Sequence, residues 1–112
     1  MDTKDLRDLV RFDDDGPRHE DLFQSQRLWS EIVCLQGPQA IGPIFDPDSD
    51  AICTVVAGTV AVQIDRDRKR LEQWGAALVP SGSELTIRNA SEEPAVILLV
   101  AAPPPTPRPW TE

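Results

Sequence analysis

Residues 52–64 read ICTVVAGTVAVQI, and residues 75–89 read GAALVPSGSELTIRN. In the first stretch Ile52 to Val56 is a β-branched run, Ala57 and Gly58 close it, and Thr59 to Ile64 resumes the same character. That is the pattern of strand, tight turn, strand. In the second, Gly75 to Val79 reads as a strand, Pro80 to Gly82 turns the chain, and Glu84 to Arg88 reads as the next strand. Short strands with turns between them, repeated along the chain, predict an all-β sandwich or barrel.

The same pattern extends outward from this centre. Leu22 and Phe23 lead into an extended segment over 27–35, where Trp29, Ile32, Val33 and Cys34 mix with polar residues before Gly37 and Pro38 stop it. Residues 43–47 form a second extended stretch broken by proline, and the charged block 65–70 reads as an exposed hairpin loop. Residues 89–94 turn the chain into Ala95 to Ala101, whose nearly continuous apolar character predicts a strand buried on both faces or at a sheet interface. Upstream, Asp13 to Pro17 is a turn. Leu6, Leu9 and Val10 sit at helical spacing behind Asp2 and Thr3 as caps, which predicts a short helix or an irregular arm. Residues 103–109 carry five prolines in seven positions, a composition that favours polyproline II. This divides the chain into an N-terminal arm with the first strand (1–26), a barrel (27–102) and a proline-rich tail (103–112). The tail reads as a stiff arm anchored by Trp110, with capture by an aromatic-lined proline-reading groove as the alternative.

Composition narrows the function. The chain has 112 residues, with 19 acidic and 11 basic side chains, a net charge of −8 and 40% hydrophobic residues. Its mean hydropathy of −0.30 and pI near 4.5 fit a globular domain. They also argue against nucleic acid or an anionic membrane as partner, since both attract an excess of Lys and Arg. The N-terminus, Met1 to Val10, has no apolar run of the length a secretory signal needs, and the longest apolar run, Pro94 to Pro105, is too short to span a membrane, so a cytoplasmic location is expected. Cys34 and Cys53 then read as buried thiols in a reducing compartment. With His19 the only histidine, no multi-histidine metal site forms within one subunit. With no tyrosine, proton-transfer chemistry built on a His and Tyr pair is excluded as well.

The two quoted stretches resemble the motifs of the cupin family, the small jelly-roll barrels of sugar epimerases, dioxygenases, isomerases and seed storage proteins. The family's second motif is matched by Gly75, Pro80, Gly82 and Asn89, with four residues rather than five before the proline, and its first motif ends at Gly58. The resemblance spans roughly residues 27–101 and implies a single jelly-roll barrel. It also implies where the family's metal ligands would lie. The glutamate position falls on Ala51, two histidine positions on Ile44 or Phe45 and on Asp46 or Pro47, and the third histidine on Leu85. None of these is a histidine or glutamate, so the expectation is a barrel with no metal, no cofactor and no catalytic set.

Strand alternation puts Cys53 and Val55 on the inward face of Ala51, and Ile87 on that of Leu85. A ligand cavity lined by Ala51, Cys53, Val55, Leu85, Ile87, Phe45 and Asp46 is therefore expected, suited to a small apolar ligand, with Phe45, Trp29 and Trp74 as the bulky residues able to fill its mouth. Asp46, Asp48 and Asp50 are spaced like part of a calcium loop but lack its glycine and distal glutamate, and read as a solvated acidic loop. Arg66, Arg68, Lys69 and Arg70 read as a solvated hairpin tip, and His19 as a surface residue. The resulting expectation is a metal-free homodimer that binds a small molecule or serves a regulatory or structural role. The alternative is an isomerase, cyclase or lyase for a small hydrophobic substrate, drawing on Asp46, His19 or Cys53.

Overall fold

The computed structural model describes residues 1–105, and the expectations for Trp110 and the other residues of 106–112 lie outside them. A 3-10 turn (Leu6–Leu9) precedes nine strands: β1 (Arg18–Gln24), β2 (Trp29–Leu35), β3 (Ala40–Phe45), β4 (Asp50–Ala57), β5 (Thr59–Ile64), β6 (Asp67–Glu72), β7 (Ala76–Val79), β8 (Glu84–Arg88) and β9 (Ala95–Ala102). They form two antiparallel sheets, in the orders β1-β2-β9-β4-β7 and β3-β8-β5-β6. The layout is an all-β jelly-roll sandwich with an N-terminal arm. No described helix is long and apolar enough to cross a membrane.

Alternation along the strands builds the interior. Val33, Val55, Val62, Ile87, Ile97 and Leu99 project between the sheets into one core. β9 lies between β2 and β4 and pairs along its length with both, a central place that its apolar sequence fits. β2 is buried at all seven positions because its two faces have different covers. One packs into the core, while on the other Ile32 and Cys34 meet Leu6, Leu9 and Val10 of the arm. The arm is capped by Asp5, whose carboxylate accepts from the Arg7 N–H at 2.9 Å, in place of the expected Asp2 or Thr3.

The structure corrects one segment outright. The block read as an exposed loop is loop only at Asp65 and Arg66, and from Asp67 the chain is strand β6, in register with β5 from Ile64↔Asp67 to Thr59↔Glu72. Charge misled the reading because β6 is an edge strand, where charged side chains are tolerated and discourage further pairing. Pro43 likewise lies inside β3, at an irregularity in the pairing with β8 between Ile41 and Ile44. That strand is also an edge, so the missing N–H interrupts little. Gly58 has a φ of +81°, and a Cβ there would approach the Pro94 carbonyl oxygen to 2.5 Å, so the β4–β5 turn requires glycine.

Asn89 ties the two sheets together at one end. It is fully buried at the close of β8; its amide donates to the carbonyls of Leu35 at 3.0 Å and Glu93 at 2.7 Å. Its side-chain oxygen accepts from the Ser91 N–H and hydroxyl at 3.0 and 2.9 Å. Asn89→Ala removes these bonds and strands the Leu35 carbonyl in the interior. At roughly 1 kcal/mol per bond the loss is expected to reach about 2–4 kcal/mol, measured by urea unfolding.

Candidate ligand site and its surroundings

The positions where the family resemblance places metal ligands do converge. Ile44 from β3, Asp46 from the loop after it, Ala51 from β4 and Leu85 from β8 all line one cavity at the barrel mouth. Trp29, Leu99 and Ala101 form its floor, and Val79, Pro80, Ser83 and Pro105 complete its rim. The wall is almost wholly apolar because three of the four convergent positions carry hydrocarbon.

The cavity is small, about 40 Å³. That is room for about three water molecules. Pro105 is buried over it, and Ser49 donates its hydroxyl to the Pro103 carbonyl at 2.5 Å, holding the chain after β9 across the opening. Pro80 and Ser83 are shared with a larger open groove of about 550 Å³ along the seam between β6 and β7, floored by Val62, Ile64, Leu71 and Ala77. Arg68 and Lys69 stand on its rim beside Asp65 and Asp67.

The structure distributes the expected cavity residues between two places. Ala51, Leu85 and Asp46 line the mouth. Cys53, Val55 and Ile87 share their inward face but lie deeper, fully buried in the core. Phe45 points away from the interior and is 60% exposed, and Trp74 is 75% exposed, so Trp29 is the aromatic residue at the mouth. The signal for Phe45 was available in the alternation itself, since Ile44 and Phe45 must face opposite ways.

The donor chemistry does not fit the family's metal. Ile44, Ala51 and Leu85 offer no ligand atom, and Asp46 uses its Oδ1 to accept from the N–H groups of Asp48 and Ser49 at 2.7 and 2.8 Å. Asp50 accepts from the Ser81 N–H at 2.8 Å, so these aspartates brace the rim turns. Among the described residues no group of three or more His, Cys, Asp or Glu side chains is placed to hold a metal ion.

Burial pushes the thiols up, Cys53 to about 11, with a weaker opposing hydrogen bond from the Ala77 backbone; Cys34 is raised for the same main reason. Only the thiolate reacts with alkylating agents. At pH 8 the folded protein is therefore expected to take up iodoacetamide at Cys53 at least about 10²-fold more slowly than a free thiol, with uptake restored in urea and accelerated as pH rises towards 11. Mass spectrometry of the labelled protein reads this directly.

His19 does not stand alone on the surface. Its Nδ1 contacts Glu31 Oε1, and the Glu31 side chain is only 2% exposed. Sequence reading missed Glu31 because a glutamate within a strand ordinarily faces solvent, and nothing local shows that both faces of β2 are covered. Removing one partner of a buried pair leaves the other charge desolvated. With His19 27% exposed, His19→Ala is expected to cost about 1–3 kcal/mol in urea unfolding, most of it recovered when Glu31→Leu is added.

Two antiparallel sheets closed around a filled core, with a mouth framed by the β7–β8 connection that crosses from one sheet to the other, define a jelly-roll barrel of the cupin type. The cupin-domain family model matches residues 31–101, and the chain belongs to that family. TT1209 from Thermus thermophilus is 31% identical over 94% of this chain and 100% of its own, with a TM-score of 0.90. The conserved SPY1581 protein of unknown function from Streptococcus pyogenes is 26% identical over 92% of this chain and 88% of its own, with a TM-score of 0.77. An RmlC-like cupin from Desulfovibrio desulfuricans, 19% identical over 93% and 98% of the two chains with a TM-score of 0.81, shares the fold. No curated protein matches the chain.

Proposed function

We propose that this cupin is a metal-free binding protein that takes a small apolar molecule at the mouth of its barrel, in a binding or regulatory role rather than a catalytic one. The observation that carries this reading is the convergence of Ile44, Ala51 and Leu85 on an apolar cavity at the positions where the family resemblance implies metal ligands. Hydrocarbon there favours apolar contact over coordination. Pro105 must move for anything larger than water to enter, and the groove beyond Pro80 and Ser83 offers room for the rest of a ligand. An isomerase, cyclase or lyase is the alternative reading; Asp46 is the one titratable side chain in the mouth, and its Oδ1 accepts from two backbone N–H groups.

A homodimer completes the reading. Ile52 and Leu78 face each other across the β4–β7 ladder on the outward side of the five-stranded sheet, 48% and 64% exposed, where the arm does not reach. A second copy covering this strip would remove apolar area from water on both chains.

Native mass spectrometry with metal analysis of the same purified sample tests both parts. The expected result is a dimer with far less than one metal per chain and an added mass from a small apolar compound, lost in Leu85→Glu. A stoichiometric metal overturns the metal-free site, and a monomer overturns the dimer.

A further inference from the structure

The groove between β6 and β7 carries charges for which the apolar mouth has no use. On β6, Leu71 packs against the core, and Lys69 and Asp67 precede it at alternate positions, opposite Val62 and Ile64 of β5. Strand alternation puts all three on the groove side, and each of them lines the groove. Asp65 and Arg68 reach the same rim, but each already holds a hydrogen bond. Asp65 Oδ1 accepts from the Glu84 N–H at 2.9 Å, and the Arg68 guanidinium donates to Gln63 Oε1 at 2.9 Å. Among the described residues no ion pair and no side-chain hydrogen bond engages Asp67 or Lys69. The Asp65–Glu84 bond joins the start of β6 to β8, and neighbouring Ser83 lines both the groove and the mouth. Asp67 therefore stands at the end of the groove that adjoins the mouth, with Lys69 one step further along.

A rim of one sign selects an ion of the other. Here a carboxylate and an ammonium sit two residues apart on one face of a strand, roughly 6.5 Å between Cα atoms, which suits a head group that carries both signs. We propose that this end of the groove binds the head of a small zwitterion, an aliphatic α-amino acid. Its carboxylate meets Lys69 Nζ, its ammonium meets the Asp67 carboxylate, and its hydrocarbon passes Pro80 and Ser83 into the mouth. The place of the hydrocarbon rests on the apolar-mouth reading above, whereas the head-group contacts stand apart from it. Ile44, Ala51 and Leu85 offer only hydrocarbon, so the mouth favours an aliphatic side chain over a polar one. Both ionic contacts lie in an open groove, so each contributes a few-fold gain in affinity rather than orders of magnitude.

Titration of the full chain with L-leucine, followed by calorimetry or NMR, tests this against three analogues. 3-Methylbutylamine lacks the carboxylate, 4-methylpentanoate lacks the ammonium, and 3-methylbutanol carries neither charge. Leucine is expected to bind about three- to fivefold more tightly than either charged analogue. Lys69→Met is expected to remove its advantage over 3-methylbutylamine, and Asp67→Asn its advantage over 4-methylpentanoate. Both positions are exposed on an edge strand, so neither substitution disturbs the core. Leucine binding no more tightly than the two charged analogues, or an advantage that survives both substitutions, overturns the proposal. 3-Methylbutanol keeps that failure distinct from failure of the mouth reading, because it probes the hydrocarbon cavity alone. Its binding, lost in Leu85→Glu, upholds the mouth whatever the head group does.

Discussion

The amide of Asn89 is the joint on which this barrel depends. A sandwich of two sheets needs its ends fixed as well as its faces packed, because hydrophobic contact sets separation without setting alignment. Asn89 supplies that alignment at one end by joining the last residue of β2, in one sheet, to the close of β8 in the other and to the turn that launches β9. With the amide buried, each of those bonds is made where water cannot substitute for it, and breaking one leaves a desolvated carbonyl. The alignment it imposes reaches the opposite end of the barrel, where Ile44, Ala51 and Leu85 meet.

That meeting point explains how a family fold can keep its shape while its chemistry changes. Turn glycines and prolines answer to backbone geometry, and Gly58 survives because a Cβ has no space there. Ligand positions answer only to the ion they hold. Once they carry hydrocarbon, they add to the core, and the mouth becomes a continuation of the packed interior closed by Trp29 beneath and Pro105 above.

Most of the fold was legible because it rests on local signals: alternation, β-branched runs, and turn residues at fixed offsets. The central, largely buried place of β9 could be read from its composition, although Leu98 and Val100 on its outward face are only partly buried. The misreading of β6 has a physical source, since its charges describe an edge strand's environment rather than its backbone, and only pairing with β5 tells the two apart. The site was legible in part. Alternation correctly put Ala51 and Leu85 on the inward faces, but depth along a strand is a property of the closed barrel, so Cys53, Val55 and Ile87 could not be separated from the mouth in advance. Glu31 was hidden for a related reason, because its burial depends on the closed interior and on β1, both distant from any pattern in β2 itself.

The hydrogen bond from Ser49 to the Pro103 carbonyl gives the C-terminal segment a role in determining access to the interior. Strand β9 delivers the chain to the rim, and Pro105, three residues after its end, rests over the opening. Whatever is joined beyond that proline, whether a fusion partner, an affinity tag or a bound protein pulling on the tail, exerts its tension at the doorway of the barrel. In this small domain residues 103–105 and the threshold of the cavity are one mechanical element.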